Sequence, residues 1–196
     1  MFAQTYTVET LLVGGTQAWG KGFTDPQNKA GQYAIAMLSD AQDDLLGLAF
    51  NVGSYKYLNF QVDVSSIDLD RWGGPFNNAH IAPTYRFSLY DNPSGNRGTG
   101  GGTLLSFQDV TGIATTDQSE FDWKNFIVAL DATGNTNGNI ILQINLLNGG
   151  YAALDNFVIA ASDVEGEINP VPEPTTMLLF GAGIAGLAAI GRRKRD

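Results

Sequence analysis

The segment from Asp70 to His80 groups side chains whose chemistry suits carbohydrate binding. Aromatic rings stack on the C–H surfaces of sugars, while amides and guanidinium groups bond the hydroxyls. The segment supplies these groups in Arg71, Trp72, Asn77 and Asn78. A loop on a rigid β-sheet scaffold is where such groups commonly sit. The alternative is that Trp72 and Phe76 cap one end of the core while the amides hold a turn.

Catalytic chemistry finds little support in the same sequence. The chain has one His and no Cys, which excludes a thiolate nucleophile, a multi-His metal centre and a disulfide framework. A Ser-His-Asp mechanism would depend on His80, but the sequence contains no recognisable nucleophile elbow. No short motif places the two carboxylates that a glycosidase needs. The alternating segment Asp131–Asn139 holds a single carboxylate, so it predicts a turn rather than a calcium loop. We therefore expect a protein that is not an enzyme.

The charge distribution divides the chain into two parts. The 196 residues carry 20 Asp+Glu against 11 Lys+Arg, a formal net charge of −9. Nucleic-acid binding needs a basic surface, so it is excluded as a function. A basic cluster closes the chain and leaves the remainder strongly acidic; it consists of Arg192, Arg193, Lys194 and Arg195. The length and this asymmetry indicate one compact domain followed by a tail.

An uncharged apolar run precedes the basic cluster and predicts a short C-terminal transmembrane helix. At about 1.5 Å per residue, the 14 residues from Met177 to Ile190 span roughly 21 Å, less than the ~30 Å hydrocarbon core. Basic side chains can snorkel to the headgroups at its end, and they favour a cytoplasmic C-terminus. The alternatives are an anchor that is never cut and a buried core helix. The large apolar residues are Met177, Leu178, Leu179, Phe180, Ile184, Leu187 and Ile190.

A Pro-Glu-Pro triplet stands before this segment. Pro172 and Pro174 disfavour helical backbone at the residues before them, so we expect an extended, accessible strip there. The triplet Pro172, Glu173 and Pro174, the apolar segment and the basic cluster, in that order, resemble a PEP-CTERM sorting signal over Val171 to Asp196. The same tail is also named after the C-terminal domain of an ice-binding protein, a label that implies no ice binding.

The resemblance to a PEP-CTERM signal implies a route for the protein. Proteins of this family are exported by Gram-negative bacteria that make extracellular polysaccharide. An exosortase-type membrane protease is the implied partner that recognises and cuts the tail. The domain would then be periplasmic while the tail sits in inner-membrane lipid, and it would later reach the cell surface or matrix. Met1 to Gln4 has no basic or apolar leader region, but Phe2-Ala3-Gln4 resembles the end of a signal peptide and the start of a mature chain. We therefore interpret residues 1–3 as the remnant of a signal peptide.

The remaining sequence predicts an all-β domain over residues 4–164, a linker over 165–174 and the tail over 175–196. Alternation of apolar and polar residues in Leu58–Val64 and Tyr85–Tyr90 predicts half-buried strands. The more apolar Asn125–Leu130 and Ile140–Leu147 predict central strands, joined by a hairpin turn at Asn137-Gly138. Further strands are predicted over Thr5–Val13, Tyr33–Met37, Leu45–Val52, Gly102–Phe107 and Ala153–Ala160. About nine strands with turn-rich connections favour an antiparallel two-sheet β-sandwich, a jelly roll.

The last predicted strand, Ala153–Ile159, is similar to the closing strand of galactose-binding-like jelly rolls, which include many carbohydrate-binding modules. In some members an Asp of this strand helps to hold a structural Ca²⁺. That resemblance implies calcium at Asp155, with Glu9 as the nearest acidic candidate in the first strand. The alternative is that Asp155 and Asn156 bond a neighbouring loop. No other cofactor is predicted.

These observations predict an exported, acidic β-sandwich protein of the cell surface or extracellular matrix. Its leading role is structural and non-catalytic. Two alternatives stay open: a carbohydrate-binding module for extracellular polysaccharide, and a glycan hydrolase on a jelly-roll scaffold. The predicted partners are an exosortase-type protease, membrane lipid and extracellular polysaccharide, with nucleic acid excluded.

Overall fold

The computed structural model describes residues 8–14, 23–37, 45–67, 81–97, 102–115, 117, 119–149 and 151–169. Within these ranges, nine strands form two antiparallel sheets, of five and four strands, as the alternating sequence pattern predicted. The strands are β1 (Val8–Leu12), β2 (Tyr33–Met37), β3 (Leu45–Asn51), β4 (Tyr57–Ser66), β5 (Thr84–Asp91), β6 (Leu104–Thr111), β7 (Lys124–Asp131), β8 (Asn139–Asn148) and β9 (Ala152–Ser162). The sheet orders are β1-β2-β9-β4-β7 and β3-β8-β5-β6, so the chain passes repeatedly between sheets.

The main core lies between the two sheets. Side chains alternate faces along a strand, so every second residue of β4 and β5 points inward. Phe60 of β4 and Phe87 of β5 are fully buried, and their rings meet edge to face at 4.9 Å across the sandwich. Such aromatic pairs stabilise a core beyond the area they bury. The packing of β4 against β5 therefore fixes which faces of the two sheets point outward.

A second apolar cluster covers part of the outer face of the five-stranded sheet. Ala34 and Ala36 of β2 alternate with the inward residues and are buried beneath loop aromatics. Phe121 stacks on Phe23 at 5.8 Å and lies 4.7 Å from Trp123, measured between ring centroids. Because alanine is small, these rings can approach the sheet closely. Trp123 is thus a core residue of this second cluster.

The structure corrects two predictions about β7 and the segment that follows it. β7 was predicted to be central, but it forms an edge of the five-stranded sheet. The strand was predicted to be buried on both faces because its residues are apolar, but Ile127 on its outer face is 52% exposed. The predicted hairpin after β7 is also wrong, because β7 and β8 belong to different sheets. The turn itself is present: Gly138 has φ +83°, and a Cβ there would lie 2.9 Å from the carbonyl oxygen of Gly53.

The edges of β6 and β7 close one side of the sandwich. The Ser106 hydroxyl donates to the carbonyl of Asp131 at 2.9 Å, and the Gln108 side chain accepts from the amide of Ala129 at 3.4 Å. Side chains of β6 thus engage backbone groups at the β7 edge, where unpaired groups would otherwise invite another strand. β6 extends to Thr111, beyond its predicted end at Phe107.

The chain folds back after β9 instead of leaving the domain directly. Residues 163–167 turn onto the outer face of the five-stranded sheet, where the Asn59 side chain bonds both Val164 and Gly166. The hydrogen-bonded chain therefore continues to Glu167, within the predicted linker 165–174.

The predicted remnant 1–3, the first residues of the predicted strand Thr5–Val13, the predicted loop 70–80, the second half of the predicted linker 165–174 and the predicted tail 175–196 lie outside the described residues. Within the described ranges, no helix has the length and hydrophobicity needed to cross a bilayer.

Candidate functional site

The outer face of the four-stranded sheet groups the described side chains best suited to contact a polar ligand. Tyr85 and Phe87 point into the core and are fully buried. Because side chains alternate, Arg86, Ser88 and Tyr90 lie on the opposite, outer face of β5. We call this surface the β5 face.

Arg86 and Asp109 form a bidentate ion pair on the β5 face. They are directly opposite in the β5–β6 register, and both Arg86 Nε to Asp109 Oδ1 and Arg86 Nη2 to Asp109 Oδ2 measure 2.8 Å. The hydrogen bonds from Arg86 hold the pKa of Asp109 below its ordinary value. Their side chains stay 40% and 38% exposed, so the pair is rigid yet accessible to a ligand.

Phe107 supplies an aromatic surface beside the ion pair. Its exposed fraction is 53%, and the Arg86 guanidinium lies 4.5 Å from the ring centroid. Phe107 precedes Asp109 by two residues on β6, so both side chains lie on the same face of the strand. An exposed ring fixed by a stacked guanidinium offers the flat apolar contact that a sugar ring uses.

Amide side chains continue the β5 face onto the neighbouring strand. Asn145 of β8 is opposite Arg86, and Gln143 is opposite Ser88. Amides can both donate and accept hydrogen bonds, which suits hydroxyl groups. Neighbouring positions on β8, β5 and β6 therefore combine a guanidinium, a carboxylate, an aromatic ring and two amides on one surface. This arrangement can bind an extended, hydroxyl-rich polymer without any chemical step.

The glycan-binding residues predicted from the sequence cannot be compared with the β5 face. Arg71, Trp72, Asn77 and Asn78 all lie outside the described residues. The sequence did indicate an exposed Arg86, through the alternation of Tyr85–Tyr90. It did not pair Arg86 with Asp109, because that contact depends on the register between two strands.

Asp155 lies in a polar network on the outer face of the five-stranded sheet. It is opposite Asp63 in the register, so the two Cβ atoms are about 5 Å apart. Asp155 Oδ2 accepts from the amide of Gly31 at 3.0 Å, which matches the loop-bonding alternative stated above. Asp63, only 5% exposed, accepts from the side-chain amides of Asn125 and Asn156, both at 2.8 Å. N–H donors thus satisfy both carboxylates.

The second predicted calcium ligand, Glu9, is not brought to Asp155. Glu9 is opposite Ala36 in the β1–β2 register, which puts it two strands, about 10 Å, from β9. Its carboxylate accepts the hydroxyl of Tyr151. Among the described residues there is no group of three or more acidic or His side chains placed to hold a metal. Calcium wants six or more oxygen ligands, so this donor set fits it poorly, and calcium stays a prediction.

The alternating segment after β7 forms turns, as predicted. Asp131 Oδ1 accepts from the amide of Thr133 at 2.7 Å, and Asn137 Oδ1 accepts from the amide of Asn139 at 3.1 Å. The hydroxyl and amide of Thr133 lower the pKa of Asp131. Residues 132–138 and 53–56 line a shallow cleft of about 420 Å³. Because the side-chain oxygens serve the local backbone, this segment does not form a calcium loop.

Fold and sequence together define an all-β sandwich with a sorting signal at its C-terminus. Residues 170–195 match the PEP-CTERM protein-sorting motif, which confirms the resemblance seen in the sequence. The chain therefore carries a PEP-CTERM signal, and this motif indicates export and sorting to the cell surface. Comparison with curated proteins finds no match to this chain.

Several solved structures are weakly similar to the chain. TmCBM61 in complex with β-1,4-galactotriose shares 11% identity, covering 81% of this chain and 84% of its own, with a TM-score of 0.43. A xylan-binding domain of CBM 22 shares 12% identity, covering 82% and 90%, with a TM-score of 0.40. A Stig cyclase from Fischerella sp. TAU shares 17% identity, covering 83% and 89%, with a TM-score of 0.42. These neighbours differ in activity, and we draw no functional conclusion from them.

Proposed function

We propose that this chain is an exported, non-catalytic protein of the cell surface or extracellular matrix whose domain holds neutral polysaccharide on the β5 face. The observation that carries the proposal is the exposed Arg86–Asp109 pair stacked beside Phe107. A hydroxyl-rich chain can bond the charged groups and amides while it stacks on the ring. A structural role in the matrix follows if the protein is retained by that contact.

The charge of the chain supports a neutral ligand rather than an anionic one. The net charge is −9 with the basic cluster included, so the protein without its tail is more acidic still. Such a surface repels anionic polymers and keeps the protein soluble. On the β5 face the guanidinium of Arg86 is neutralised by Asp109. We therefore propose uncharged glycans as the ligand class.

The state of the carboxylates supports a non-catalytic role. A glycosidase needs two accessible carboxyl groups about 5–10 Å apart. The close pair Asp63 and Asp155 is occupied by N–H donors, and Asp63 is buried. Asp109, bound to Arg86, is the one carboxylate on the β5 face within the described strands. A hydrolase is thus the less favoured alternative.

The route of export is part of the same proposal. We propose that the segment Met177–Ile190 enters the inner-membrane lipid of a Gram-negative bacterium, with the basic cluster Arg192–Arg195 in the cytoplasm. The domain is then periplasmic until an exosortase-type protease cuts near Pro172–Pro174. The motif match over residues 170–195 supports this sequence of events.

A binding experiment tests the proposed ligand. The protein recovered from the cell surface is titrated with soluble galactan, xylan and mannan as neutral probes and with alginate as an anionic one. We expect at least one neutral polysaccharide to bind and raise the melting temperature by mass action, and alginate to have no effect. If no neutral polysaccharide binds, the β5 face is not a glycan site. The structural role without a glycan ligand then becomes the better account.

A further inference from the structure

A buried amide on β4 holds the segment through which the domain leads to its sorting tail. Asn59 is fully buried. Its Nδ2 donates to the carbonyl of Val164 at 2.9 Å, and its Oδ1 accepts from the amide of Gly166 at 2.9 Å. Both ends of one side chain therefore bind the same turn. A buried amide satisfied in this way specifies a single arrangement of its partners.

Further contacts within residues 162–167 support the turn. The amide of Lys56 donates to the Asp163 carboxylate at 3.2 Å, and the hydroxyl of Ser162 donates to the Glu167 carboxylate. Gly166 has φ +75°, a backbone conformation that favours glycine. The turn is thus a built element of the domain, and Glu167 is the last residue whose bonds to it are seen.

The distance from this turn to the sorting motif is short. Pro172 follows Glu167 by five residues, so an extended chain reaches at most about 18 Å between them. A domain of about 160 residues has a radius of gyration near 15 Å. The chain between Glu167 and Pro172 is thus at most about one domain radius long, so a protease that binds the triplet must approach close to the folded domain.

We propose that the turn held by Asn59 sets the reach of the sorting motif and thereby slows its cleavage by the membrane protease. This inference rests on the proposed sorting function. If the turn is released, the last fixed residue is Ser162, ten residues before Pro172. The maximum reach from the domain to the motif then doubles to about 36 Å. A longer reach lets the folded domain stand further from the protease, so the motif enters a site that a short linker barely spans with less obstruction. Asn59 is in this account a positioning residue for the processing reaction.

The test compares four forms of the full chain made together with an exosortase-type protease. They are the wild type, Asn59→Ala, an insertion of five Gly/Ser residues between Asn169 and Pro170, and Asn125→Ala. The last is the matched control, because Asn125 is an amide on the same sheet that bonds Asp63 and not the turn. Pulse-chase labelling measures conversion of precursor to the cut form. Hydrogen exchange at Gly166 reports whether the turn is held.

We expect Asn59→Ala and the insertion each to speed cleavage by roughly threefold or more, because both lengthen the reach. Asn125→Ala should match the wild type. Exchange at Gly166 should accelerate only in Asn59→Ala. The insertion leaves the domain unchanged, so it keeps the test valid if Asn59→Ala folds poorly.

Two failures have different meanings. If all four forms are cut at the same rate, or the insertion is cut more slowly, the turn does not limit processing and this inference is wrong. The sorting function would survive that result. If the wild type and the insertion are both left uncut by the protease, the proposed sorting function itself fails, and the inference fails with it.

Discussion

Replacing Phe107 with alanine separates glycan binding from stability. About half of the ring is exposed, which leaves on the order of 100 Å² for contact with a sugar. At about 25 cal/mol per Å², its loss weakens binding by at most ~2.5 kcal/mol, or about 60-fold in Kd. Ordering costs reduce the effect, so we expect about a tenfold loss. The free energy of unfolding should fall by only about 0.5–1 kcal/mol, from the lost stacking with Arg86.

The matched control for Phe107→Ala is Ile127→Ala. Ile127 is 52% exposed, close to the 53% of Phe107, but it lies on the outer face of the other sheet. Isothermal titration with the neutral polysaccharide that binds the wild type, together with urea unfolding, measures both quantities. We expect Ile127→Ala to bind like the wild type. Equal affinity of Phe107→Ala and wild type, or equal losses in the two variants, would refute the assignment of the β5 face.

Three other predictions concern stability. Asp109→Asn should lower the melting temperature slightly near neutral pH, and the melting temperatures of variant and wild type should converge in acid. The reason is that the pKa of Asp109 is depressed in the folded protein. The stabilisation by its carboxylate is therefore present above the ordinary Asp pKa of about 3.9 and is lost as the pH falls through the lowered value. Phe60→Ala should cost about 3–5 kcal/mol in urea unfolding, since the ring is fully buried against Phe87, and a loss below ~1 kcal/mol would contradict that packing. EDTA should leave the melting temperature unchanged, because N–H donors already bond the carboxylates of Asp155 and Asp63. A drop of several degrees would instead support the predicted calcium.

The strands were predictable because their signal is local. The alternation in Leu58–Val64 follows directly from one buried face, and β4 indeed covers that range. The position of β7 was not predictable in this way. Phe126 and Val128 pack inward on an edge strand just as they would on a central one, so composition alone cannot tell the two apart.

The candidate site was less predictable because it depends on which strands are neighbours. Arg86 and Asp109 are far apart in the sequence and meet only through the β5–β6 register. The contact of Asn59 with the turn after β9 has the same origin, since β4 and β9 pair across a long connection. By contrast, the sorting tail needs no tertiary contact. Its order of triplet, apolar run and basic cluster can be recognised directly in the sequence.

The most direct test of the account is the intact mass of the protein at the cell surface, compared between cells with and without the exosortase-type protease. We expect the surface form to lack the basic cluster Arg192–Arg195, and the uncut chain to accumulate in the membrane when the protease is missing. Full-length protein, with these arginines still attached, found dissolved in the cytosol of normal cells would contradict the claim that residues 170–195 are a sorting signal in use.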